Sequence, residues 1–226
     1  MLNGKKIIAV IPARGGSKRI PRKNIINING KPLLAYTIEL AKKMPEFDAV
    51  VVSSEDDEIL SVASSYGAEI LRRSDELALD HTQDEPVLIH VVHELETTGR
   101  TFEYVVMLQC TLPLRTLETV RKVIATGVNR DFDTVSTCVE DRSRYRRLRN
   151  GVWIPLDPNA SRRSQEREPY YREADVCYIM KTQTLVDTGT LFGGTVEFVL
   201  VDEIENIDIN TPFDLELVTC MMSKQS

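Results

Sequence analysis

Ile7-Ile8-Ala9-Val10-Ile11-Pro12-Ala13-Arg14-Gly15-Gly16-Ser17-Lys18-Arg19-Ile20-Pro21-Arg22-Lys23-Asn24 is the stretch that decides the fold. Ile7 to Ile11 is a continuous apolar run stopped by Pro12, as expected of a strand buried on both faces of a parallel sheet. A long basic loop follows at once. Paired Gly15 and Gly16 let backbone N–H groups approach an anion without a Cβ in the way. Arg14, Lys18 and Lys23 add charge-assisted contacts, Ser17 and Asn24 add neutral donors, and Ala13 leads the chain in. The loop reads as a polyphosphate cradle rather than a merely solvated basic segment, because it sits where a strand hands over to a loop in an open α/β sheet. Neither G-x-x-x-x-G-K-[ST] nor G-x-G-x-x-G is present, so it is not a Walker A loop or a dinucleotide fingerprint.

Outward from this strand, short β-rich runs alternate with helical patterns. Residues 33–43 place Leu33, Leu34, Thr37, Ile38 and Ala41 on one helical face. Ala49–Val52 predicts a strand, Asp56–Tyr66 a helix, Glu69–Leu71 a strand, and Pro86 the first residue of another helix. Tyr104–Leu108, Thr134–Val139, Val176–Met180 and Glu197–Val201 predict further strands, with a helix over Leu117–Ala125. A last helix starts at Pro212, capped by Asn210 or Thr211. This rhythm predicts an α/β chain with a mostly parallel central sheet and helices on both faces. It breaks over 140–174, an arginine-rich, turn-rich insertion with Trp153-Ile154-Pro155 as a lone hairpin strand. The expectation is a single domain over 1–226 in which 140–174 is an arm that covers the site or meets a second subunit.

The 226 residues are 42% hydrophobic and 27% charged, an ordinary globular composition. A net charge of −6 argues against broad binding to nucleic acid or anionic membrane. No run is long enough to span a bilayer, and no secretory leader is read at the N-terminus. Cys110, Cys138, Cys177 and Cys220 form no C-x-x-C pair and read as buried, reduced thiols, which suits the cytoplasm.

The run Ile8 to Lys18, continued by Ile20-Pro21 and Lys23-Asn24, resembles the N-terminal signature of the acylneuraminate cytidylyltransferases, the CMP-sialic acid synthetases. Val51-Val52-Ser53-Ser54-Glu55-Asp56 is similar to that family's V-V-S-T-D-D. Gly67-Ala68-Glu69 through Arg73, Leu77-Ala78 and Asp80 resembles G-A-E…R-x-x-x-L-A-x-D. Leu108-Gln109-Cys110-Thr111-Leu112-Pro113-Leu114-Arg115 resembles L-Q-P-T-S-P-L-R, and Asp208 to Leu215 resembles D-I-D-T-P-E-D-L.

The resemblance implies a Rossmann-like nucleotide-diphospho-sugar transferase fold and a homodimer. It implies transfer of CMP from CTP to an acidic nine-carbon sugar of the sialic, legionaminic or pseudaminic type. Arg14, Ser17 and Asn24 then hold CTP phosphate and ribose, with Ala13, Gly15 and Gly16 in the same loop, and Lys18 and Lys23 stabilise the triphosphate. Arg73 and Gln83 fall where the family meets the base. Gln109, Arg163, Gln165 and Asp175 fall on the sugar side, and Asp208 with Asn210 where it holds Mg²⁺. Three departures stand out. Asn210 replaces an aspartate of D-x-D, Ala174-Asp175 replaces N-G in N-G-A-I-Y-I, and Leu112 replaces a serine. They leave two alternatives open: a weakened nucleotide-binding paralogue with a regulatory role, or a nucleotidyltransferase for another sugar such as Kdo.

Other features have plainer explanations. His90, His93 and Glu94 suit a helical face, and Asp56-Asp57-Glu58 suits the positive end of a helix. Asp202, Glu203 and Glu205 read as a solvated acidic turn. Arg142 to Arg149 reads as a sugar-carboxylate or subunit contact rather than an RNA-binding patch.

Overall fold

A computed structural model describes residues 1–224. The N-terminal run forms β1 (Ile7–Pro12), and the loop after it leads to the two-residue strands β2 (Asn27–Ile28) and β3 (Lys31–Pro32). Next come α1 (Leu33–Lys42), β4 (Ala49–Ser54), α2 (Asp57–Ser65) and β5 (Glu69–Arg72). The chain continues through α3 (Asp84–Thr97), β6 (Tyr104–Met107), α4 (Leu117–Arg130) and β7 (Thr134–Asp141). A hairpin of β8 (Arg146–Arg149) and β9 (Val152–Pro155) precedes β10 (Tyr170–Lys181). The closing elements are α5 (Thr182–Thr188), β11 (Val196–Leu200) and α6 (Pro212–Ser223).

The main sheet has seven strands in the order β11-β7-β10-β6-β1-β4-β5. Only β10 runs against its neighbours; β1, β4, β5 and β6 pair in parallel, as do β7 and β11. From β1 the chain moves outward to β4 and β5, then returns to lay β6 on the other side of β1. That reversal opens a crevice beyond the carboxyl ends of β1 and β6. Successive residues of β1 face opposite sides. Ile7, Ala9 and Ile11 pack with residues of α1, α2 and α4, while Ile8 and Val10 pack with α3 and Leu185 of α5. A third cluster joins Ile20, Ile28 and Leu33 to Val218 and Met222 of α6.

Local signals account for the ends of several elements. Asp56 caps α2, accepting the N–H groups of Glu58 and Ile59 at 3.0 Å each. Thr211 and Asp214 form a reciprocal capping box on α6, with Pro212 in its first turn.

Several expectations need correction. The α3 helix begins at Asp84, two residues before Pro86, which still lies in the first turn where its missing N–H costs nothing. Trp153 is not on a lone strand, since it pairs with Leu148 across the hairpin. The α5 helix was not foreseen. Glu205 is buried rather than solvated, accepting from the Thr116 N–H at 2.8 Å and from the Thr119 hydroxyl at 2.8 Å. Cys220 is exposed, whereas Cys110, Cys138 and Cys177 are buried; all four are free thiols.

Candidate active site

The crevice holds a cavity of about 480 Å³. The loop after β1 forms one wall. Asn24 is buried and pins that loop, donating to the Arg14 carbonyl at 2.9 Å and accepting the Cys110 thiol at 3.1 Å. Burial pushes that thiol up to about 12, so it stays protonated. The Gly15 N–H donates to Glu55 at 2.6 Å, and a Cβ on Gly15 would stand 2.5 Å from the Asp56 carboxylate. This glycine therefore permits the loop to close on the start of α2. Gly15, Gly16 and Ala13 shape the loop without lining the cavity.

Arg14, Ser17, Lys18, Lys23 and Asn24 do line it. The Arg14 guanidinium donates to Asp80 at 2.9 Å, and Lys18 pairs with the same carboxylate. Lys23 donates to the Ile209 carbonyl at 2.7 Å, and burial pulls its ammonium below the usual range against the raising influence of Asp208. Arg73, nearly buried, reaches Glu55 at 3.2 Å. Gln83 lines the cavity just before α3, and its side chain makes no capping bond.

At the far end Gln109 donates its side-chain amide to Asp84 at 3.2 Å, while its carbonyl accepts from Arg115 at 2.5 Å. Burial raises the Asp84 carboxyl, with Glu85 and Asp175 adding to the effect and Arg73 opposing it. Asp175 sits where β10 slips register against β7 between Ala174 and Ile179, an irregularity that re-aims side chains. It accepts from the Tyr178 hydroxyl at 2.5 Å, as Glu173 does at 2.6 Å.

Asp208 and Asn210 line the cavity beside Lys23. Asn210 donates to one Asp208 oxygen at 2.5 Å; the other, Oδ1, is buried without a hydrogen-bond partner. An acceptor-only oxygen left bare in this way suits a cation. Among the described residues no group of three or more His, Cys, Asp or Glu could cage a metal unaided. The donor set therefore fits a Mg²⁺ ion that takes most of its ligands from substrate and water.

Arg163, Gln165 and Asp175 are not among the residues lining this cavity. Arg163 and Gln165 stand exposed on the arm, Arg163 paired with Glu166 at 3.2 Å. Asp80, Asp84, Glu55 and Arg115 took no part in the sequence-based site. Asp80, Glu55 and Arg115 nevertheless lie inside matched motif strings, a signal that could have found them.

The family model described as Cytidylyltransferase matches residues 8–210. A pseudaminic acid cytidylyltransferase of Campylobacter jejuni is 31% identical over 93% of this chain and 94% of its own. A CMP-N,N'-diacetyllegionaminic acid synthase of Legionella pneumophila is 30% identical over 96% of each. Among solved structures, a CMP:2-keto-3-deoxy-manno-octonic acid synthetase complexed with CTP aligns with TM-score 0.73 at 19% identity, over 98% of this chain and 100% of that one, a likeness of fold. On the strength of the family match and these full-length relatives, the chain belongs to the cytidylyltransferases, enzymes of the nucleotidyltransfer class.

Proposed function

We propose that this enzyme transfers CMP from CTP to the anomeric hydroxyl of an acidic nine-carbon sugar of the pseudaminic, legionaminic or sialic type. One observation carries the reading: a single cavity gathers the cations Arg14, Lys18 and Lys23, the Asp208–Asn210 pair and the polar Gln109. Near full-length relatives whose names specify such sugars support it.

The anomeric oxygen attacks the α-phosphorus of CTP. A new O–P bond forms, the bond to the bridging oxygen breaks, pyrophosphate leaves with that electron pair, and the hydroxyl proton passes to solvent. Such a transfer depends on charge neutralisation and alignment more than on covalent help. Arg14 and Lys18 hold the outer phosphates, Lys23 the α-phosphate side, Ser17 and Asn24 the ribose and loop, and Arg73 with Gln83 the base. Asp208 and Asn210 would hold Mg²⁺, which when bound supplies positive charge to the phosphate oxygens. Gln109 faces the sugar, and the resemblance adds Asp175, Arg163 and Gln165, which do not line the cavity of the single chain.

We assign the enzyme to the cytoplasm; no helix among the described residues is long and apolar enough to cross a membrane. The arm leaves Leu148, Val152 and Trp153 more than half exposed, a surface suited to a homodimer and testable by light scattering. The deciding assay is pyrophosphate release from CTP and Mg²⁺ across a panel of nonulosonic acids with Kdo included. Turnover of a nonulosonic acid is expected; none with any of them, or turnover of Kdo alone, overturns the reading. Asn210 favours a weakened paralogue as the second reading, and a near-zero rate restored by Asn210→Asp would select it.

A further inference from the structure

We infer that Asp84 locks the Gln109 amide so that its carbonyl oxygen faces the sugar, and that the sugar group read there is a hydrogen-bond donor, an acylamido N–H or a hydroxyl. This rests on the reading of the cavity as a CTP and sugar site.

A side-chain amide can be turned over with almost no change of shape, exchanging a donor for an acceptor, and its neighbours decide which end points where. The neighbour here is Asp84, whose Oδ2 accepts from Gln109 Nε2 at 3.2 Å. Turning the amide over would set oxygen against oxygen. Burial raises the Asp84 carboxyl, and its place as the first residue of α3, together with Arg73, opposes that rise. The main chain of Gln109 is fixed as well. Its carbonyl accepts from Arg115 at 2.5 Å, and that residue is only 4% exposed. Gripped at both ends, Gln109 offers the cavity its Oε1, which needs a donor opposite.

The surrounding charge sorts the substrate in the same direction. Asp84, Glu85 and Asp175 gather at this end, with Arg73 and Arg14 acting on Asp84 from the cation side. The cations Arg14, Lys18, Arg19 and Lys23 line the remainder, with the acids Asp80 and Asp208 among them. The sugar's own carboxylate is driven toward those cations, leaving its neutral donors to meet Gln109.

A polarity swap tests the inference. Asp84→Asn lets the amide of Gln109 settle either way round, and the KM for the sugar should rise about tenfold with the KM for CTP little changed. Gln109→Glu opposes two carboxylates and should lose more. In the double variant Asp84→Asn with Gln109→Glu, the new amide donates to the new carboxylate, which again offers an acceptor to the sugar. Recovery of most of the lost kcat/KM for the sugar supports the inference, and a double variant no better than the worse single variant overturns it. A second measurement needs no sugar. The Gln109 side-chain N–H₂ resonance should move on Asp84→Asn in the free protein; an unmoved signal also overturns the inference. If the wild type turns over no sugar while this signal moves, the proposed function fails and the amide lock stands.

Discussion

Arg14 and Asp80 are joined by a 2.9 Å hydrogen bond that ties the cradle to the segment between β5 and α3. Lys18 shares the same carboxylate, so one acid already offsets part of the charge of two proposed phosphate-binding cations before any nucleotide arrives. An incoming triphosphate must compete with Asp80. Because these groups are well exposed, Asp80 competes only weakly. Asp80→Asn should therefore tighten CTP binding by up to about fivefold, measured by calorimetry. Weaker binding would show instead that the clasp organises the cradle.

Removing Arg14 itself should have the opposite effect. Asn24 bonds the backbone carbonyl of that residue and not its side chain, so the loop keeps its anchor in Arg14→Ala. Losing a charge-assisted contact to phosphate should weaken CTP binding about tenfold or more, with the melting temperature little altered. Unchanged CTP affinity in a titration would refute the assigned role.

The Asp208–Asn210 pair makes a graded prediction. Restoring a second carboxylate through Asn210→Asp adds negative charge beside the bare Asp208 oxygen. The half-saturating Mg²⁺ concentration should fall several-fold in a metal titration, while the rate at saturating metal changes less than about threefold. No change in metal dependence would remove these residues from the metal site.

Acid stability depends on a different pair. Asp56 caps α2 and holds the Arg22 guanidinium, which keeps its carboxyl down at about 2. The unfolded value is about 3.9, so the native state binds this proton less readily than the unfolded chain. The contribution is fully present above about pH 4 and is lost as pH falls through 2. With Arg22 more than a third exposed, it amounts to on the order of 1 kcal/mol. Asp56→Asn keeps a capping side chain but loses the ion pair. Its melting temperature should lie below wild type at pH 5 and converge with it near pH 2, as followed by circular dichroism. A constant gap would place the effect elsewhere.

Much of the fold was legible because its signals are local. An apolar run ending at Pro12 made β1, and Thr211 followed by Pro212 and Asp214 marked the start of α6. The direction of β10 was not legible from its own residues, since a buried strand has the same apolar pattern whichever way it runs. It runs antiparallel because the connection from β7 is the hairpin arm rather than a crossover helix. Within the site, the cradle cations announced themselves by clustering. Asp84 did not, because an acid in the first turn of a helix already has an explanation, and only tertiary packing brings it to Gln109. Glu205 misled for a related reason: its burial depends on Thr116 and Thr119, which lie 86 and more residues earlier in the chain.

The cluster joining Ile20, Ile28 and Leu33 to Val218 and Met222 also sets an order of events during synthesis. Lys23 is held by the Ile209 carbonyl, 186 residues further along. Until residues 209–222 are in place, the basic loop lacks its apolar backing and its lysine anchor. Completion of this wall of the cavity therefore waits on a segment made long after the loop itself.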